Sequence, residues 1–109
     1  MGLVRKSDGI DFVDASIRDA FNDVKEKDKE MYRHLERALN DILENAFCGI
    51  QIPKKLFPDK FKCLKNLWKY NLPDAWRLFY TIKSPDKVEV VAVILDWMNH
   101  RDYERLFGY

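Results

Sequence analysis

The sequence is poor in cysteine, histidine, glycine and proline. It contains two cysteines, two histidines, four glycines and four prolines in 109 residues. Two cysteines are too few for a disulfide-rich scaffold. The cysteines and histidines are also scattered without the close spacing of zinc ligands, so we expect neither a bound metal nor another cofactor. These four residues are Cys48, Cys63, His34 and His100.

Long apolar runs are also missing. No run approaches the roughly 18 residues of a membrane-spanning helix, and no charged start leads into an apolar stretch as in a signal peptide. We therefore expect a cytoplasmic protein with reduced cysteines and no membrane association. With 47% hydrophobic and 14% aromatic residues, the chain can build one core, and we expect a single domain over residues 1–109.

A strong net charge is absent, since 19 basic residues face 18 acidic ones. The two signs are nevertheless separated along the chain. Residues 11–44 contain ten acidic and six basic side chains, whereas residues 51–82 contain seven basic and two acidic ones. The basic stretch is a candidate anion-binding face.

Two stretches in the first half have apolar residues at helical spacing. The first contains Val13, Ile17, Ala20, Phe21 and Val24, and the second contains Met31, Leu35, Ala38, Leu39, Ile42 and Ala46. We expect Asp11 or Asp14 to cap the first helix. Asp28 should cap the second, and Gly49 should end it. Because the connection is short, the two helices should run antiparallel.

The second half is rich in aromatic and β-branched residues, which predicts strands. The predicted strands are residues 67–72, 76–82 and 88–95. The turn signals Pro-Asp at residues 73–74 and Ser-Pro-Asp at residues 84–86 favour an antiparallel meander. The third strand has little polar alternation, which predicts cover on both faces and a central position.

Shorter signals complete the predicted fold. Residues 50–62 should form an irregular connection with Ile52 and Phe57 as buried anchors. Residues 3–5 are a candidate edge strand, and His100 should start a helical turn before the chain end. The expected fold class is therefore α+β, with an N-terminal antiparallel helical hairpin packed on a small antiparallel β-sheet meander.

Two segments carry a resemblance to a known family. They are NLWKYNLPDAWRLFYTI and VEVVAVILDWMNHRDYERLFGY. Within them a hydrophobic-aromatic-basic strand, a tight turn, an aromatic-Arg strand and a His-Arg tail follow one another. The residues are Leu67-Trp68-Lys69, Trp76-Arg77-Leu78-Phe79-Tyr80 and His100-Arg101. In this order they resemble the C-terminal sheet and tail of the RelE/ParE toxin superfamily.

The resemblance implies a toxin of a type II toxin-antitoxin system. Ribonuclease members cut messenger RNA in the ribosomal decoding site without a metal ion. The RNA 2′-hydroxyl attacks the adjacent phosphate and leaves a 2′,3′-cyclic phosphate. Such a protein inhibits translation, and its partners are the ribosome, messenger RNA and a cognate acidic antitoxin, with which it can form a heterotetramer.

This reaction needs cations for the phosphorane charge. Arg77 is assigned to that role because its planar guanidinium can bind two phosphate oxygens and the family pattern places an Arg here. The alternative is a surface arginine paired with Asp74. Lys69, on the preceding strand, is expected to project from the same face as Arg77.

The reaction also needs a proton acceptor and a proton donor. His100 is the candidate general base or acid, because imidazole titrates near neutral pH. Arg101 is assigned to support of the phosphate. Tyr103 should donate a proton or stack on a base, and Tyr109 is the second tyrosine considered for this role.

Three further residues are assigned to RNA binding. Lys62 and Lys65 are expected to contact ribosomal RNA backbone. Asn71 stands where family enzymes often have a second basic residue. This substitution motivates an alternative function, a non-ribonuclease binding module that acts as a ParE-like gyrase inhibitor or as a degenerate toxin through antitoxin complex formation. A small interaction domain unrelated to toxins is a third alternative.

Overall fold

A computed structural model describes residues 7–84 and 89–108 of the chain. Within these residues the chain forms three α-helices and five β-strands, which confirms the predicted α+β class. The helices are α1 (Ala15–Lys27), α2 (Lys29–Glu44) and α3 (His100–Phe107). The strands are β1 (Gly9–Phe12), β2 (Ile50–Gln51), β3 (Trp68–Asn71), β4 (Arg77–Lys83) and β5 (Val91–Met98).

The five strands form one sheet in the order β1-β5-β4-β3-β2. The predicted antiparallel meander is confirmed, because β3, β4 and β5 pair with their sequence neighbours in antiparallel register. The prediction of a wholly antiparallel sheet was wrong, since β1 pairs with β5 in parallel. The four residues of β1 carry too short a pattern to be recognised, and the parallel pairing depends on a distant segment.

Aspartates begin both N-terminal helices, as predicted. The side chain of Asp14 accepts a hydrogen bond from the Ile17 amide at 2.9 Å, and that of Asp28 accepts one from Met31 at 3.0 Å. The helices fold back on each other, with the ring centroids of Phe21 and Tyr32 5.3 Å apart.

Gly49 does not end the second helix, so that prediction was wrong. The helix ends at Glu44, where the amide of Asn45 donates to the carbonyl of Asp41 and the Asn45 side chain accepts from the Phe47 amide. Gly49 instead serves a close contact. A Cβ at this position would lie 2.7 Å from both the carbonyl oxygen of Lys69 and the hydroxyl of Tyr80.

Hydrophobic clusters cover both faces of the sheet. One contains Leu35, Ala38, Ile42, Leu72, Leu78, Tyr80, Ala92 and Ile94, and the other contains Ile52, Phe57, Phe61, Leu67, Phe79, Leu95, Met98 and Tyr103. Neighbouring β4 residues belong to different clusters because side chains alternate between faces along a strand. The burial of Ile52 and Phe57 confirms their role as anchors, and β5 is covered on both faces as predicted. β5 is also an interior strand of the sheet, between β1 and β4, as predicted.

The C-terminal helix is longer than the single turn that the sequence predicted. Asn99 caps it by accepting from the Asp102 amide at 2.9 Å, and Gly108 ends it in the left-handed region at φ 78°. β5 likewise continues three residues beyond its predicted end, through Met98. Because of this extension, β5 ends at Met98, the residue that pairs with Arg77, and α3 begins after the single capping residue Asn99.

Other predictions concern residues beyond those described. The edge strand at residues 3–5, the Pro-Asp part of the turn at residues 84–86 and Tyr109 all lie outside residues 7–84 and 89–108. Inside these ranges, the helices are too short and too polar to cross a membrane. Cys48 and Cys63 are both free thiols.

Candidate functional site

Lys69 and Arg77 project from one face of the sheet. In the β3–β4 register Lys69 lies opposite Phe79, and Asn71 lies opposite Arg77. Residues two apart on a strand share a face, so the two cations are diagonal neighbours on the same side, as predicted. We call Lys69, Arg77, His100 and Tyr103 the cation–tyrosine cluster.

Both cations lie against the ring of Tyr103. The ammonium nitrogen of Lys69 is 5.1 Å from the ring centroid, and the guanidinium carbon of Arg77 is 4.9 Å from it. These distances are within the range of cation–π contacts. The Lys69 ammonium also donates a hydrogen bond to the Tyr103 hydroxyl at 3.3 Å. One helical side chain therefore contacts both strand cations.

Tyr103 is 7% exposed. Its ring stacks on Phe79 with centroids 6.0 Å apart and packs against Phe107 at 4.9 Å. With its ring enclosed by these residues and the two cations, Tyr103 cannot serve as a stacking platform for a base. The part of Tyr103 that can take part in chemistry is its hydroxyl, which lies beside the Lys69 ammonium.

His100 lies at the outer side of the cluster. Its ring centroid is 6.3 Å from that of Tyr103, and its Nε2 pairs with the carboxylate of Glu104. About half of the His100 side chain is exposed, so the imidazole borders solvent. A carboxylate that orients a histidine is a common arrangement in acid–base catalysis. We did not predict a role for Glu104, although its position four residues after His100 on a helix is a usable signal.

The guanidinium of Arg77 is held by backbone. Its Nη1 donates to the carbonyl oxygen of Ala75, rather than to the carboxylate of Asp74. Asp74 and Ala75 both have left-handed backbone conformations, at φ 59° and 62°. Such conformations are unfavourable for residues with a Cβ. The turn between β3 and β4 therefore presents a carbonyl to the arginine at a cost in backbone strain.

The two cations have no carboxylate partner among the residues that the structure describes. Asp96, which pairs with Phe79 in the sheet, binds the ammonium of Lys60 at 3.3 Å instead. The Nε of Arg77 is buried and has no hydrogen-bond partner within residues 7–84 and 89–108. A buried donor without a partner costs free energy.

The other predicted residues lie outside this cluster. Arg101 is exposed and lies two residues before Tyr103, nearly opposite to it around the helix. The ammonium of Lys62 is paired with Asp59 at 2.7 Å. Lys65 lines a cavity with Thr81, near the far end of β4. Asn71 is exposed next to Arg77 and adds no charge.

Cys48 is not a favourable nucleophile. Burial raises the pKa of its thiol, so the reactive thiolate is less populated than for a free cysteine. Among the described residues, no three histidine, cysteine, aspartate or glutamate side chains are placed to hold a metal ion. The cation–tyrosine cluster therefore offers the clearest chemistry in the part of the chain that the structure describes.

The chain matches no protein-family model, no curated protein and no solved structure.

Proposed function

We propose that this protein is a RelE-like toxin of a type II toxin-antitoxin system that cleaves messenger RNA on the ribosome. The single observation that carries the proposal is the cation–tyrosine cluster, in which Lys69 and Arg77 flank Tyr103 without a carboxylate partner among the described residues. Two cations beside one tyrosine ring suit the negative charge of a phosphodiester.

The chemistry follows from these groups. The RNA 2′-hydroxyl attacks the adjacent phosphorus, its proton passes to a base, and the bond from phosphorus to the 5′-oxygen breaks. The leaving oxygen takes a proton, and the product is a 2′,3′-cyclic phosphate. Arg77 and Lys69 would stabilise the phosphorane charge, and His100, oriented by Glu104, would accept the first proton.

Tyr103 is the proposed proton donor. Its hydroxyl accepts a hydrogen bond from the Lys69 ammonium, and a cation at this position stabilises the negative charge that develops on the oxygen when the proton leaves. Because the ring is buried, the hydroxyl is held in one place. Fixed geometry of this kind contributes to catalysis by positioning.

The proposed partners follow from the same function. An active toxin would meet messenger RNA in the ribosome and be neutralised by an acidic antitoxin. Exposed lysines in the basic stretch, Lys54, Lys55, Lys62 and Lys65, provide positive charge for either contact. A shared basic surface would let the antitoxin compete directly with RNA.

The test is cleavage mapping in a translation extract. Wild-type protein should cut translated messenger RNA at codon-related positions and leave cyclic phosphate ends. Arg77→Ala should lower the rate by roughly 100-fold or more, as for loss of one charge-stabilising donor. Arg105→Ala, which removes an exposed arginine from the same helix, should keep the wild-type rate.

Tyr103→Phe separates chemistry from folding in the same assay. It preserves the ring packing against Phe79 and Phe107 and removes only the hydroxyl, so the fold should persist while cleavage falls. Equal cleavage by wild type and Arg77→Ala would refute the proposal. Gyrase-dependent DNA breaks with intact messenger RNA would instead support the binding-module alternative, which the uncharged Asn71 beside Arg77 favours.

A further inference from the structure

A polar cavity lies at the open edge of β3, where it is lined by Asn71, the residue that pairs with Arg77 of the cation–tyrosine cluster. Its volume is about 340 Å³, and its lining residues are His34, Arg37, Tyr70, Asn71, Leu72 and Pro73. We call it the α2–β3 cavity. Two of the lining residues come from α2, and the other four are consecutive in and after β3.

The cavity exists because β2 is short. The two residues of β2 pair with Trp68 and Lys69, so the outer edge of β3 beyond them has no neighbouring strand among the described residues. Side chains from both faces of β3, together with its backbone, can therefore line one space. This space opens beside α2 rather than over the face of the sheet.

Arg37 gives the cavity its charge. It is exposed, and it forms no salt bridge within residues 7–84 and 89–108. The nearby carboxylates have other partners. Asp41 accepts a hydrogen bond from the Tyr70 hydroxyl, and Glu30 lies 3.7 Å from Nε2 of His34.

Tyr70 shows that the charge of Arg37 acts at the cavity wall. Burial, the hydrogen bond to Asp41 and the charge of that carboxylate raise the pKa of Tyr70 to about 12, and the positive charge of Arg37 opposes this rise. The Tyr70 hydroxyl, which lines the cavity, therefore stays protonated and neutral at physiological pH. The arginine is the lining cation that is left to bind an external anion.

Asn71 connects the cavity to the cation–tyrosine cluster. It lies directly opposite Arg77 in the sheet, where paired residues are only about 5 Å apart between Cα atoms. It also shares a face with Lys69, two residues earlier on β3. Arg37 lies on α2, which packs against the opposite face of the sheet. An extended polyanion held by Lys69 and Arg77 can therefore reach Arg37 only by turning around the edge of β3 at Asn71.

We propose that the α2–β3 cavity is a second phosphate subsite, in which Arg37 and the amide of Asn71 bind a further phosphate of the RNA strand whose scissile phosphate lies at Lys69 and Arg77. The inference rests on the proposed function, since it takes the ligand to be single-stranded RNA. Arginine suits the role because its guanidinium donates two parallel hydrogen bonds to a phosphate. The subsite would help to place the scissile phosphate by holding the same RNA strand beyond the edge of β3.

Binding of a labelled 2′-O-methyl octanucleotide tests the subsite. This probe lacks the attacking hydroxyl, so it reports binding without cleavage. The affinity should fall as salt rises, and each phosphate contact contributes about 0.7 to the slope of log affinity against log salt for a single strand. Arg37→Gln should reduce the slope by about 0.7, whereas Arg18→Gln, an exposed arginine on α1, should leave it unchanged.

The outcomes separate this inference from the proposed function. A slope lowered by Arg77→Gln but not by Arg37→Gln would overturn the subsite and leave the proposed catalytic cluster standing. If Arg37→Gln lowers the slope and Arg77→Gln does not, the result would support the subsite and count against phosphate binding by the cation–tyrosine cluster. No binding by the wild type at low salt, with Arg37-dependent binding of a polyglutamate peptide, would overturn it in favour of an acidic protein partner.

Discussion

Gly49 illustrates how a single residue can be constrained by a distant strand. Its amide donates to the Tyr80 hydroxyl at 3.0 Å, and the same hydroxyl donates to the carbonyl of Ala46 at 2.8 Å. The phenol of a buried tyrosine thus satisfies two backbone groups of the segment that follows α2. There is no room for a side chain at position 49.

Gly49→Ala should therefore destabilise the protein. The added Cβ would lie 2.7 Å from the Lys69 carbonyl oxygen, which is backbone and cannot rotate away. We expect a loss of about 1–3 kcal/mol in the free energy of unfolding, as for other overpacked sites, measured by urea denaturation.

Gly9→Ala is the matched control, because a Cβ there would meet nothing within 4 Å. Its free energy of unfolding should stay within about 0.5 kcal/mol of wild type. Equal stability of the two variants would contradict the close contact at Gly49.

For single residues, the sequence predicted which side chains share a face better than it predicted which side chains are in contact. The shared face of Lys69 and Arg77 follows from strand alternation alone. The contact of Lys69 with Tyr103 joins residues 34 positions apart, and no local pattern specifies it. Arg101 was grouped with His100 by adjacency in sequence, yet neighbouring residues on a helix point in different directions.

Among the elements, the junction of α1 and α2 depends on one side chain. Asp28 ends α1 by donating its amide to the Val24 carbonyl at 2.8 Å, and begins α2 by accepting from the Met31 amide. Asp28 is therefore both the C-cap of α1 and the N-cap of α2. The tight fold-back of the two helices needs no further connecting residues.

Asp28→Ala should cost about 1 kcal/mol of stability, the usual effect of removing an N-cap. Thermal or urea unfolding followed by circular dichroism measures the loss. Asp23→Ala removes an exposed aspartate whose partner, Lys27, is also exposed, and such surface pairs contribute little. A loss no greater for Asp28→Ala than for Asp23→Ala would show that the cap is dispensable.

Elements with strong local signals were predictable. The caps of α1 and α2 follow from short polar side chains before apolar periodic stretches, and β3 and β4 lie within one residue of their predicted bounds. β1 and β2 were missed because strands of four and two residues are stabilised by pairing with distant segments. Their existence depends on tertiary structure rather than propensity.

In the whole molecule, two hydrophobic clusters cover the sheet, one on each face. The cluster with α2 residues supports one face, and the cluster with Tyr103 supports the other. The candidate site therefore lies on a face whose support comes from α3 and from the segment with Phe57 and Phe61. Cations on β3 and β4 and the imidazole on α3 meet only when all three elements have packed.

The central claim is that Lys69 and Arg77 act on one phosphate. A double-mutant cycle of cleavage rates in the translation extract tests it, with wild type, Lys69→Ala, Arg77→Ala and the double variant. Groups that act as a unit are strongly non-additive. If each single variant loses about 100-fold, the double variant should lose far less than the product of the two losses. A double variant that loses the full product, or a single variant that keeps the wild-type rate while folded, would contradict the account.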